Sequence, residues 1–230
     1  MDDEVTAAPA LPEQTDPEPE VAICADLATG ALEELFGRWQ ISVDWVGDGE
    51  VIPGSHWGGR EAGMIGATLY VRRDTPVHSA LHEGAHLICM GPERRATVNT
   101  DAEGEELEEC GACVLQILLA DELPAIGRER LMGDMDAWGY SFRLGSTRAW
   151  FENDAEDAWR WLEQAGLLRE GVPVADPSAG AHRLTALGPE CAELAGHSAS
   201  GNIPNAAAVG QGASAEVQSA LVGVRQEDPV

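Results

Sequence analysis

The sequence predicts an α+β fold, a small mixed sheet followed by a run of helices. Three observations point to it. Ile41-Ser42-Val43-Asp44-Trp45-Val46 alternates apolar and polar residues at the period of a half-buried strand. Met64 to Arg72 repeats that period, with Ile65, Ala67, Leu69 and Val71 on one face. From Pro76 onward, apolar residues recur at helical spacing in several successive segments. Strands and helices are thus segregated along the chain rather than alternating, the order expected of an α+β domain.

Taken in order, residues 1–22 carry Pro9, Pro12, Pro17 and Pro19 among acids and alanines, lack periodicity, and read as a disordered acidic segment. Leu27 to Trp39 is an amphipathic helix, with Leu32, Leu35, Phe36 and Trp39 on one face. The two strands follow, separated by the turn at Gly47-Asp48-Gly49. Thr75 and Pro76 then supply an N-cap and a first helical residue for a helix reaching about Met90, stopped by Gly91-Pro92. A polar loop leads to a second long helix, Glu103 to Glu122, closed by Leu123-Pro124. Arg128 to Trp138 and Thr147 to Ala165 read as two more helices. Residues 196–230, rich in Gly, Ala, Ser and Asn, read as a flexible tail in which Ala213 to Val222 forms at most a transient helix. The domain proper is therefore 23–195.

Composition narrows the function classes. The chain has 230 residues with 40 Asp plus Glu against 14 basic residues, a formal net charge of −26, and every basic residue is Arg. Such a surface repels nucleic acid and anionic membranes, so neither is an expected partner. No apolar run approaches the ~20 residues of a membrane span, and the acidic N-terminal residues do not resemble a secretory signal. A cytoplasmic setting is the expectation. Cys24, Cys89, Cys110, Cys113 and Cys191 are then reduced thiols rather than a disulfide framework.

The chemistry is concentrated in one helix. His82-Glu83-Gly84-Ala85-His86 is an H-E-x-x-H motif. Residues four apart on a helix lie about 40° apart around its axis, so both imidazoles face one way and can share a zinc ion. Glu83 adjoins the first ligand and can reach a metal-bound water without binding the metal. Zinc lowers the pKa of that water, Glu83 accepts its proton, the hydroxide attacks a polarised carbonyl, and Glu83 returns the proton to the leaving amine. Val77, Leu81, Ala85 and Ile88 form an apolar stripe beside the histidine face. A third ligand is needed, with the fourth position left open. The next helix offers Glu105, Glu106, Glu108 and Glu109, of which Glu109 is the first choice and Glu108 the second, because small Gly111 and Ala112 would let that helix come close. His78 and Cys89 share the face of the motif, and three His plus Cys89 would make a closed structural site. His78 reads instead as a first-turn or supporting residue. Cys110-Gly-Ala-Cys113 has no partner pair and reads as helix packing.

The order of strand, His82–His86 helix and Glu109 helix resembles the gluzincin arrangement of zinc peptidases. The segment from Glu109 to Leu119, with Leu123-Pro124 beyond it, is similar to the glutamate helix of ImmA/IrrE-like metallopeptidases. The likeness spans about 64–124. Gly84 stands where a bulkier apolar residue is usual, and Cys113 where such families often have Asn or Asp. The resemblance implies a zincin-like fold, an active-site helix followed by a glutamate helix, and hydrolysis of a peptide bond in a polypeptide substrate. It further implies that Met64 to Tyr70 is an edge strand able to pair with an extended substrate. Tyr70, His56, Tyr140 and Arg143 are then candidates for stabilising the oxyanion. A reading of a different class is a zinc-stabilised interaction or regulatory module without catalysis. Trp161 to Leu168, followed by His182 to Gly188, also resembles the last helix and wing of a winged-helix module, here read as a packing extension. The sequence does not indicate an oligomeric state.

Overall fold

In the computed structural model, which describes residues 18–56, 58–102 and 104–174, seven α-helices and a three-stranded sheet follow one another in the expected order. Most of the acidic segment 1–22 and all of 175–230, with Cys191, His182–Gly188 and Ala213–Val222, lie outside the described residues.

Helix α1, Ala31–Gly37, buries Leu32, Leu35 and Phe36, and Trp39 follows them into the core. Strand β1, Ser42–Trp45, keeps only Val43 partly covered, while Trp45 lies 43% exposed and donates its indole N–H to Glu33 at 2.8 Å. The stretch expected to be one strand from Met64 to Arg72 is two. β2 (Gly63–Ile65) and β3 (Thr68–Val71) form an antiparallel hairpin with Ile65 opposite Thr68. Gly66 is the signal that periodicity overrode. Its φ of +59° supplies the left-handed residue that a two-residue hairpin loop needs. The turn inverts the pattern, so that Met64, Leu69 and Val71 are buried and Ile65 is not.

β3 is the middle strand, parallel to β1 and antiparallel to β2. The expected substrate-pairing edge at Met64 to Tyr70 is therefore already occupied. Tyr70 sits in the central strand, and the outer side of β2 bonds its own chain, Met64 N–H to Gly54 O at 3.2 Å and Thr100 N–H to Met64 O at 3.0 Å.

Helix α2, Val77–Cys89, lies under this sheet and is buried on every side except at Glu83. No side chain caps its start. Thr75, the expected N-cap, instead accepts the Arg72 N–H at 2.9 Å and closes the turn before the helix. The expected polar loop holds one more helical turn, α3, Pro92–Arg95. Its Arg95 is buried and donates to Met90 O at 3.2 Å and Trp39 O at 2.9 Å, placing a cation at the carbonyl end of α2 where the helix dipole favours it.

Helix α4, Glu106–Ala120, makes the most extensive packing with α2. The remaining helices close the far side. They are α5 (Gly127–Trp138), α6 (Thr147–Asn153) and α7 (Glu156–Gln164), the last two being one expected helix broken at Asp154, whose carboxylate takes the Arg143 guanidinium at 2.8 Å. A short hairpin of β4 (Leu168–Arg169) and β5 (Val172–Pro173) follows α7.

Two glycines set the spacing of these layers. Gly84 in α2 faces Phe36 of α1, and a Cβ there would stand 2.2 Å from the Phe36 ring atoms Cε1 and Cζ. Gly111 in α4 faces Trp161 of α7 at 2.8 Å, so its notch seats that tryptophan. It was expected to let α4 approach the histidine helix. The departure of Gly84 from a bulkier residue is thus explained by Phe36, which fills the volume from the other side. Replacing Gly84 by Ala is expected to cost about 1–3 kcal/mol through overpacking. Thermal melts of Gly84→Ala in wild-type and Phe36→Leu backgrounds check this, with a smaller penalty in the second.

Candidate metal centre

Burial dictates where the polar groups of α2 and α4 go. Both helices carry more polar atoms inward than a dry core accepts, and a buried polar group without a partner costs free energy. His82 and His86 are both buried, their rings edge to face with centroids 4.7 Å apart. Their Nε2 atoms approach to 3.2 Å. From the first turn of α4, Glu109 brings Oε2 to 3.4 Å from His86 Nε2 and 3.8 Å from His82 Nε2. Three donor atoms thus converge, all within 4.8 Å of one another. Ligands about 2.0–2.1 Å from a tetrahedral ion lie roughly 3.3 Å apart, so this triangle fits a small divalent cation with one position open.

The third-ligand alternatives separate cleanly. Glu109 points at both Nε2 atoms. Glu108 is held by Arg94 of α3 through two hydrogen bonds, 2.6 Å and 2.8 Å, and its Oε1 stands 3.9 Å from His86 Nδ1. That is the place of a carboxylate that orients a ligand histidine from behind. Nothing in the spacing of the acids distinguishes the two roles. Arg94, in the segment read as loop, makes the distinction.

Behind His82 stands Gln116, the one polar residue in the apolar stretch Val114–Ala120. Gln116 is fully buried in α4, donates to Met135 Sδ at 3.3 Å, and leaves its Oε1 without a partner. His82 Nδ1 is likewise unpartnered, and Gln116 lies beside the ring as the acceptor available to it. The lone polar residue inside Val114–Ala120 was the signal.

The electrostatics follow from this crowding. Burial drives His82 down to about 3, helped by the neighbouring His86 and opposed by Glu109. Burial also works to lower His86, but the nearby carboxylates of Glu108, Glu109 and Glu83 outweigh it and raise His86 to about 10. Burial raises Glu109, and the His86 hydrogen bond and charge overcome it, so Glu109 stays ionised. A proton is thus favoured on His86, beside Glu109, and disfavoured on His82. Glu83 is half-buried beside them. Desolvation lifts its carboxyl to about 7, against the His86 charge and with help from Glu109, Glu61 and Asp101.

The cluster forms one wall of a cleft that Glu83, His78, Glu61, Asp101 and His56 also line. Among the oxyanion candidates only His56 reaches it. Tyr70, Tyr140 and Arg143 do not line the cleft, and the Tyr140 hydroxyl is buried behind His78 and His82. Cys89 is buried at the end of α2 outside the triad, its thiol pushed up by burial, and Cys110 and Cys113 are unpaired. No helix among the described residues is long and apolar enough to cross a membrane. Compared with known protein families, curated proteins and solved structures, the chain matches none.

His78 gives a pH test separate from any metal. It is buried against Trp138, with ring centroids 4.9 Å apart, and burial holds it neutral with a pKa of about 3. The unfolded chain binds a proton there below about 6.5, so this contribution to stability is complete above that pH and is lost as pH falls toward 3. Wild type is expected to lose about 2 kcal/mol more than His78→Gln between pH 7 and pH 5, read from thermal melts.

Proposed function

We propose that the chain is a zinc-dependent peptidase, with His82, His86 and Glu109 as the metal ligands and Glu83 as the catalytic base. One observation carries this reading. Two imidazoles and a carboxylate converge on one point of an open cleft, and a half-buried glutamate with a pKa near neutrality adjoins them. Zinc fits the donor set because two imidazole nitrogens and one carboxylate oxygen with an open position are its catalytic coordination. When bound, it supplies a Lewis acid that polarises the scissile carbonyl and acidifies a water.

The chain's own residues do the rest. Glu83, poised at about 7, takes a proton from the attacking water and later gives it to the departing amine nitrogen, so the group ends as it began. The Arg94 fork keeps Glu108 ionised and fixed behind His86, 3.9 Å from its Nδ1. Gln116 stands where it can accept from His82 Nδ1 and so keep Nε2 turned to the metal. His56 also lines the cleft and is the candidate donor to the carbonyl oxygen. In this reading the helix pair is the zincin-like, gluzincin-type core, and the resemblance to ImmA/IrrE-like metallopeptidases is to that core.

The experiment is a comparison of wild type with Glu83→Gln. Wild type is expected to hold one zinc per chain and to cleave an unstructured polypeptide. Glu83→Gln is expected to hold zinc equally and to lose at least ~100-fold in cleavage rate. Undiminished cleavage by the variant would overturn the proposed base. Zinc binding without cleavage by wild type would favour a non-catalytic zinc-stabilised module.

A further inference from the structure

The cleft contains more acid than a metal and a base account for. Among the described residues four carboxylates line it, Glu61, Glu83, Asp101 and Glu109, and no arginine does. With Glu109 on the metal and Glu83 serving the water, Glu61 and Asp101 remain. Both act electrostatically on Glu83, so they lie close to where bond breaking would occur. Like charges gathered in one concave wall repel one another, and although Arg60 offsets part of this at Glu61, such a wall draws cations in from solution.

A second feature of the same wall points independently to a bound chain. His78 is 1% exposed, it lines the cleft, and neither ring nitrogen has a partner. An orphaned imidazole in the wall of an open cleft is a hydrogen-bonding group built for something that arrives from outside. Burial keeps it neutral, so it can give or take a hydrogen bond without repelling a cation. Glu61 is suited to the same visitor. Desolvation raises it to about 7, opposed by a hydrogen bond from Trp138, and an incoming guanidinium or ammonium would hold it ionised.

We propose that the cleft takes a cationic stretch of polypeptide, with Glu61 and Asp101 receiving an arginine or lysine side chain beside the metal-ligating cluster and His78 hydrogen-bonding the backbone of the bound chain. That this chain is a substrate rests on the peptidase reading; that it binds does not. The cationic preference follows from the cleft's own side chains, not from the net charge of −26, and the two sources are separable by mutation.

The test uses full-length, zinc-loaded Glu83→Gln protein and two fluorescent peptides of equal length, one carrying arginines and one carrying glutamates at the same positions. Binding is read by anisotropy at physiological ionic strength, where distant surface charges are screened. The arginine peptide is expected to bind at least about tenfold more tightly than the glutamate peptide. Adding Glu61→Gln and Asp101→Asn should remove most of that preference. Adding Glu34→Gln and Glu163→Gln, which neutralise exposed acids on α1 and α7, should leave it in place. Asp101→Asn alone, at an exposed position, keeps the test valid if the Glu61 variant does not fold. His78→Phe should weaken both peptides alike. Equal binding of the two peptides, or equal loss from the cleft pair and the distant pair, would overturn the proposal. Charge-selective binding with no cleavage by wild type would sink the peptidase reading and leave this one standing. Cleavage without charge preference would do the reverse.

Discussion

The structure turns on a short distance. Two histidine Nε2 atoms sit 3.2 Å apart, with a carboxylate oxygen 3.4 Å from one of them, the rings buried and the carboxylate partly open to the cleft. At that distance the two imidazoles can share one N–H···N hydrogen bond, but the carboxylate oxygen beside them then faces ring nitrogen that a bound cation would satisfy. A proton can serve, favoured on His86 by the carboxylates around it while burial keeps His82 neutral. A divalent cation serves better, because it satisfies all three donors together and releases that proton. The rest of the domain is arranged to keep this corner in register.

That arrangement is a matter of spacing between helices. Phe36 against Gly84 fixes α1 on the back of α2, so the histidine face turns toward α4. Trp161 against Gly111 fixes α7 on α4. Arg94 and Arg95, neighbours on the single turn of α3, work in opposite directions. Arg94 ties α3 to Glu108 on α4, and Arg95 ties it to the carboxyl end of α2. One short turn therefore couples both helices that supply the cluster. The β2–β3 hairpin completes the cleft from the other side, and its outer edge is already bonded to residues 54 and 100. That edge therefore offers no free backbone groups at Met64 for strand pairing.

Much of this was legible in the sequence, and the misses have physical causes. Helical spacing located α2 and α4, because helices buried by long apolar faces announce themselves in composition. The two imidazoles could be placed together because a four-residue helical spacing fixes direction, whereas Glu109 was chosen partly on Gly111, which in fact seats Trp161. The hairpin was misread as one strand, since two-residue periodicity continues across Gly66 while the chain reverses. Thr75 was expected to cap α2 because its position is right, yet its hydroxyl was taken by Arg72 in the preceding turn. Gln116 and Glu108 could not be assigned from spacing, because their roles depend on which neighbour faces them across the α2–α4 contact. Side chains that act across an interface leave only a faint trace in their own segment, here a single polar residue in an apolar run.

The central claim is that one tetrahedral cation is held by two imidazoles and one carboxylate with no thiolate. X-ray absorption at the zinc edge of protein loaded with one equivalent of the metal tests it most directly. The account predicts a first shell of nitrogen and oxygen at about 2.0 Å, with the outer scattering of two imidazole rings. A sulfur contribution at about 2.3 Å, which would bring Cys89 into the shell, or a signal with a single imidazole, would contradict it.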